Sequence, residues 1–511
     1  MESFEQRLIM IKKYFLLLLV LLVIISGCTA NKKNYKPDKR FSGQQLRQDY
    51  TLLRNILEEK HPALYWYTPK DSMDYYFDSL YNNIADSMTE VQYGWSVLAP
   101  LTQKIRCGHT SFGMSKNWNK YIKGKQIPSF PLHLKLCADT MVVSFNLNKK
   151  DSILKRGTII TSINSVSSAT LIHEMFKYLP ADGYADNVNY VRLSSNFPYY
   201  HRSIYGIYKN YRVGYIDSTG REKKLLLPMF VATVDTTKKK TAVTPVVKKN
   251  KKKERKETIE SYRSLKIDTI ANTALFTLNT FSNGDGKRLR RFIKKTFKKI
   301  DRQQINNLIL DLRGNGGGDV GLYVLLNKYL CKTPFKVADT TYAVAKSLRP
   351  YTKYIRKGFY NNIALIFFSR KKKDGNYHYG FWERHFYKPK QRHHYDGKLF
   401  VLTNGPTFSA ASLLCNSIKG QSNVLLVGEE TGGGWHGNSG ILIPDITLPN
   451  TKLRVRLPLF KMVQFNHVPK TGRGIAPDVF IPQTIEGVKY SLDRKMDYVK
   501  YLIKKDTAAI K

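Results

Sequence analysis

The spacing of apolar positions changes character along this chain. An unbroken apolar run from Tyr14 to Ile25 is followed by a polar stretch at 29–40. Leu46, Tyr50, Leu53 and Leu57 then recur at helical spacing until Pro62 closes the element. Further helices are expected over 72–86 and 90–105. From about Pro128 to Phe230 the runs "FPLHLKL", "TMVVSFNL", "GTIITSIN", "YRVGYID" and "KKLLLPMF" predict strands, with one helix near Ala169–Tyr178. Beyond Thr273, "NLILDL" (307–312), "KLFVLTN" (398–404) and "NVLLVGEE" (423–430) are apolar without alternation, as in strands covered on both faces. Helical stretches follow the first two, which predicts an α/β layer. The pattern divides the chain into a helical region (41–125), a small β-rich module (126–230), a linker (231–262) and an α/β core (263–502) interrupted by an aromatic, basic insertion at 333–397.

Charge adds less than its size suggests. The 511 residues hold 84 Lys+Arg against 39 Asp+Glu, a net charge of +45. Such an excess suits nucleic acid, a phospholipid surface or an acidic polymer. The densest block, "TTKKKTAVTPVVKKNKKKERKE" (236–257), has few core-forming residues and reads as a solvated linker. The first segment decides the compartment. Lys12 and Lys13, the apolar run, then Ser26, Gly27 and Cys28 follow the order of a secretory signal. The run falls short of the about 20 residues that span a bilayer. Ile25-Ser26-Gly27-Cys28 resembles a bacterial lipobox, which implies cleavage before Cys28 and diacylation of its thiol. Residues 1–28 are then a lipoprotein signal and 29–40 a tether. The expected location is the cell envelope, lipid-anchored to a bacterial membrane and facing the periplasm, where nucleic acid is not an expected partner. An uncleaved anchor helix is the competing reading. The other cysteines, Cys107, Cys137, Cys331 and Cys415, show neither zinc spacing nor a CxxC pair.

Three stretches carry candidate chemistry. In "DLRGNGGGDVG" (311–321) a glycine run follows a buried strand, so backbone amides can face an anion. No GK[ST] follows, which disfavours a phosphate loop, and an oxyanion hole fits better. In "GPTFSAASLLC" (405–415) Ser409 leads from a strand into a helix. Serine there is usually an N-cap. The same turn also exposes a hydroxyl beside the N–H of Ala410, as in the elbow of acyl-transfer enzymes. In "KIRCGHTSF", His109 lies between Gly108 and Thr110, which suit a turn that presents the ring.

Taken in order, "CGHTSF", "LILDLRGNGGG", "VLTNGPTFSAAS", "VGEETGGG" and "GRGIAPDV" resemble the C-terminal processing, or tail-specific, serine peptidases of the S41 type. The resemblance implies a crotonase/Clp-protease-like ββα core with a helical N-terminal region and a PDZ-like domain, which the β-rich module would be. It implies Ser409 as nucleophile, with the N–H of Ala410 and of Gly316 or Gly317 as the oxyanion hole. It implies a polypeptide substrate and no metal or organic cofactor. Members with a serine–lysine pair carry the lysine in a "GE-x-T-x-G-K-G" stretch; here "GEETGGGW" has Gly434 at that place. The tricorn-core-like branch instead takes a histidine from the helical region, and His109 stands at the matching position. That branch also has a serine before the histidine and a glutamate near "GI-x-PD"; here Gly108 precedes His109, and "KTGRGIAPD" has no glutamate, with Asp478 the nearest carboxylate. The reading is therefore a Ser409–His109 dyad with the orienting group open and His436 as a rival base. The alternative is a catalytically degenerate lipoprotein of the same fold that binds peptides or apolar ligands.

Overall fold

A computed structural model describes residues 35–231, 251–284 and 287–509. The signal segment with Cys28, the first half of the tether and linker residues 232–250 lie outside the described residues. The rest of the linker is not irregular: Lys251–Tyr262 is a helix running into the first strand of the core.

The core sheet starts with the antiparallel pair Arg263–Asp268 and Thr273–Leu278. Four parallel strands continue it: Asn307–Asp311, Lys398–Thr403, Val424–Gly428 and Val479–Phe480. Ladder bonds between parallel strands need crossovers, and the helices Leu289–Arg302, Val320–Leu330 and Ala410–Ile418 lie in them. In Leu289–Arg302 the residues Leu289, Ile293, Phe297 and Ile300 are buried on one face while its lysines point outward. One face of the sheet packs against these helices through Phe276, Leu308, Leu310, Val401 and Leu426. The other packs Ile309, Phe400, Leu402 and Val427 against Met496, Val499 and Ile503 of the C-terminal helix. Burial on both faces is why these strands read as continuous apolar runs.

The N-terminal helices form as their spacing predicts, starting with Gly43–Lys60, whose first turn is held by a Ser42–Gln45 capping box. Their core is shared. Leu46, Leu53 and Leu101 pack in one cluster with Ile446, Val455 and Phe460, so this region is welded to the C-terminal part of the chain. The β-rich module is an antiparallel sheet of Leu132–Cys137, Thr140–Asn146, Ile159–Ile163, Asn210–Ile216 and Glu222–Pro228. It has two helices more than the apolar pattern suggests, Asn187–Ser195 and Phe197–Tyr205, besides Ser168–Phe176. Insertion residues Thr340–Ala343 join a second sheet with Phe460–Val463 and Gly437–Ile441.

Candidate active site

The strand Lys398–Thr403 turns sharply into the helix Ala410–Ile418, and Ser409 sits at the seam. It occupies the N-cap position, yet its hydroxyl caps nothing, and its backbone is held at φ 54° and ψ −124°. A left-handed φ at a non-glycine residue costs on the order of 1–3 kcal/mol and persists only where its surroundings enforce it. Three bonds do so. The Thr407 hydroxyl donates to Leu312 O at 3.0 Å, the Ser412 hydroxyl donates to Thr407 O at 3.1 Å, and Phe408 N–H donates to Asn315 O at 3.0 Å. The half-buried Ser409 hydroxyl is thus presented, not spent on the helix.

The glycine run lies against this turn. Asn315 is fully buried; its Nδ2 donates to Leu278 O at 3.0 Å and its Oδ1 accepts the Gly317 N–H at 2.9 Å. Gly317 has φ 90°, and a Cβ there would stand 2.7 Å from Ser409 Cβ and 2.9 Å from Ala410 N. Only glycine lets the two segments touch. Because the Gly317 amide is engaged by Asn315, Gly316, exposed and with open space around it, is the glycine whose N–H remains for a ligand. Ala410 is the first residue of its helix, so its N–H is among those without an intrahelical acceptor.

His109 comes from the other end of the chain. A turn closed by Thr110 N–H to Cys107 O leads into the short strand Phe112–Gly113, which pairs with Arg454–Arg456. This pairing brings the helical region to the elbow. The His109 ring is buried, lies 4.7 Å from the Phe408 ring between centroids, and leaves both nitrogens without a hydrogen-bond partner. Orphaned buried polar atoms are rare in folded proteins. The site of a Cβ on Gly440 would be 3.0 Å from His109 Nε2 and 3.1 Å from Ser409 Oγ, so the imidazole and the hydroxyl face one small space that Gly440 leaves empty. Filling it is expected to be harmful: Gly440→Ala should lower turnover about a hundredfold, the scale of a misplaced reacting pair. Steady-state kinetics beside a thermal melt will check that the fold survives.

A carboxylate the sequence reading left unassigned completes the cluster. Asp182 is buried, with Oδ1 3.9 Å from His109 Nδ1, and it accepts N–H bonds from Gly108 at 2.7 Å and Gly434 at 3.4 Å. At 3.9 Å the His109 contact is not a hydrogen bond, and a small approach would make it one. Burial pushes His109 down to about 3, helped by the charges of Arg456 and Arg192. Burial pushes Asp182 up to about 7 against the two amides that favour its ionised form. At neutral pH the imidazole is therefore uncharged, the form a proton acceptor needs. Cys107, His109 and Asp182 offer ligand atoms within 4.8 Å of one another, and burial pushes the Cys107 thiol up to about 12.

Two of the three departures from the motif patterns have a steric reason. A Cβ at 108 would stand 2.6 Å from the Phe408 ring, so Phe408 fills the room of a serine before the histidine. A Cβ at 434 would stand 2.6 Å from Gly437 O, which leaves no path for a lysine. His436, Asp478 and the lysines nearest the motif in sequence, Lys419 and Lys452, are committed elsewhere. His436 Nδ1 bonds Val468 O at 2.9 Å and its ring packs edge-on against Trp66. Lys419 pairs with Asp478, which also accepts Leu426 N–H at 2.8 Å, and Lys452 bonds Pro449 O. A cavity of about 270 Å³ opens beside Gly108, walled by Trp95, Tyr199, Tyr200, Arg192 and Arg456.

Fold and elbow together describe a mixed α/β protein resembling the S41 peptidases, with a helical N-terminal region. The model of peptidase family S41 matches residues 272–481, a stretch that holds the glycine run and Ser409 but neither His109 nor Asp182. Among solved structures the chain is similar to mature CPAF complexed with lactacystin, at 13% identity and a TM-score of 0.61, covering 91% of this chain and 98% of that one. Mature CPAF alone matches at 12% identity and a TM-score of 0.60, covering 90% and 97%. At such identities the likeness is one of fold. No curated protein matches the chain in sequence.

Proposed function

We propose that this protein is a serine endopeptidase of the tail-specific type, in which Ser409 attacks a peptide carbonyl, His109 takes and returns the proton, and Asp182 orients the imidazole. The observation that carries the reading is that a strained, uncapped Ser409 hydroxyl and a buried His109 imidazole without a hydrogen-bond partner face one space beside Gly440. Serine needs an adjacent base to act as a nucleophile, and Gly434 stands where the motif would place a lysine. The tetrahedral oxyanion falls to the N–H groups of Ala410 and Gly316.

A polypeptide substrate is supported by the strand beside the site. Gly437–Ile441 ends its sheet, with Phe460–Val463 on one side and, among the described residues, no paired strand on the other, Gly440 and Ile441 being its partly exposed residues. A free edge takes an extended peptide by main-chain pairing and aligns it with the adjacent hydroxyl. The cavity beside Gly108 receives a side chain, and its two arginines favour a carboxylate there. The β-rich module acts as the PDZ-like element that captures a substrate tail, and the chain works outside the cytoplasm, tethered by lipid at Cys28.

A fluorophosphonate probe tests the nucleophile directly. The expected result is covalent labelling of the wild-type chain at Ser409, mapped by peptide mass spectrometry, with none in Ser409→Ala. Labelling at any other residue, or none in the wild type under conditions that label a control serine peptidase, returns the protein to the class of degenerate binding scaffolds.

A further inference from the structure

The insertion contains a helix turned inside out. In Gly358–Phe368 the buried side is Gly358 and Leu365, while Phe359, Tyr360, Ile363, Ile366 and Phe367 are exposed, Phe359 to 67% and Phe367 to 75%. At 100° per residue these five share one face. An ordinary surface helix shows water its polar side. Here the polar side chains are used to hold the helix down: Asn362 Oδ1 accepts Leu348 N–H at 2.8 Å, Asn361 Nδ2 donates to Arg356 O at 3.0 Å, and Ser369 Oγ donates to Leu365 O. The apolar face is a built surface, not a loose segment.

The stretch of sequence around it is of one sign. Nine basic residues and no acidic one lie between Asp339 and Asp374. Lys353, Arg356 and Lys357 precede the helix and Arg370, Lys371, Lys372 and Lys373 follow it. Lys372 pairs with Glu383 and Arg356 lies 4.0 Å from Asp445, but Lys357, Arg370, Lys371 and Lys373 have no acidic partner among the described residues. Cations before a helix oppose its dipole, so helix stability does not account for Lys353, Arg356 and Lys357.

We propose that Gly358–Phe368 is an interfacial helix that docks its apolar face into the surface of an anionic phospholipid membrane, with the flanking lysines and arginines on the headgroups. Apolar residues on one side and cations at the borders are what such a surface selects. Eleven residues are too few to span, and no helix among the described residues is long and apolar enough to cross a membrane, so it lies in the plane. A second copy is a poor occupant, because self-pairing would bring two unneutralised basic rims together.

The test uses the full chain, bound to vesicles through its own N-terminus, carrying Ile366→Cys with an environment-sensitive fluorophore; the unsubstituted chain supplies the background from native cysteines. On phosphatidylglycerol-rich phosphatidylcholine vesicles the label is expected to shift to the blue and to be quenched by brominated acyl chains. On pure phosphatidylcholine, or at high salt, it stays in water. Replacing Arg370, Lys371 and Lys373 by Gln should lower the docked-to-undocked ratio about a hundredfold, at about fivefold for each basic side chain near an anionic surface. All substitutions are at exposed positions, and circular dichroism verifies the fold. A label that stays in water on the anionic vesicles overturns the proposal. So does one buried without lipid in proportion to protein concentration, which assigns the face to a second copy.

Discussion

Ser409→Ala is expected to reduce cleavage of an unstructured polypeptide about a millionfold, His109→Ala to cost nearly as much, and the double variant to cost no more than either. Non-additivity is the informative part. Two groups that move one proton between them fail as a unit, whereas two independent structural defects would multiply. Neither change should unfold the chain. Ser409 makes no side-chain cap bond whose loss would be felt, and removing its positive-φ strain is not achieved by alanine, which leaves the backbone as it was. Removing His109 eliminates two buried nitrogens that have no partner. Thermal midpoints at or above the wild type, together with lost turnover, are the expected result. Full activity in His109→Ala would break the dyad and move the base to another residue.

The legible parts of this site are those in which chemistry is local. Ser409 could be read from a buried strand meeting a small-residue helix, and one torsion and one missing bond then show that its hydroxyl does not cap that helix. His109 could be paired with it only through motif order, because their approach depends on Phe112–Gly113 joining Arg454–Arg456 across the fold. Asp182 was out of reach. It lies in "PADGYAD", which looks like an ordinary turn, and what makes it distinctive is Gly108 from one segment and Gly434 from another donating to it. Gly434 itself reads in sequence as a missing lysine; in space it is the room that Gly437 O requires. Charge misled in two places. The linker's basic run hid the helix Lys251–Tyr262, and the insertion's cations drew attention from the apolar face between them. The helices Asn187–Ser195 and Phe197–Tyr205 were masked by apolar and aromatic residues at positions that alternate as well as recur.

Asp182→Asn is expected to lower kcat about ten-thousandfold with KM little changed, the scale seen when a triad carboxylate is made neutral. The ionised carboxylate would hold Nδ1–H and leave Nε2 bare toward Ser409; an amide presents no charge to the imidazolium that forms. The pH profile separates this role from a structural one. His109 is already uncharged above about 3, so it sets no limb near neutrality by itself. Asp182, pushed up by burial to about 7, does: kcat should rise with pH as it ionises, and that limb should vanish in Asp182→Asn. Stability should move the opposite way. A carboxyl group whose folded value lies above its ordinary 3.8 stabilises the fold fully below that value, and the contribution is lost as pH rises through about 7. Above neutrality the wild type therefore keeps a buried charge that Asp182→Asn removes, and the variant should melt higher at pH 8 than the wild type while turning over far more slowly. His109, held below its ordinary value, acts with the reverse sign: its contribution is complete above 6.5 and lost as pH falls toward about 3. With Asp182 gone that term stands alone, so the variant should lose stability on acidification more steeply than the wild type. If Asp182 serves only to pin Gly108 and Gly434, its amide variant will instead lose stability and activity together at every pH, and the third catalytic position will have to be sought elsewhere.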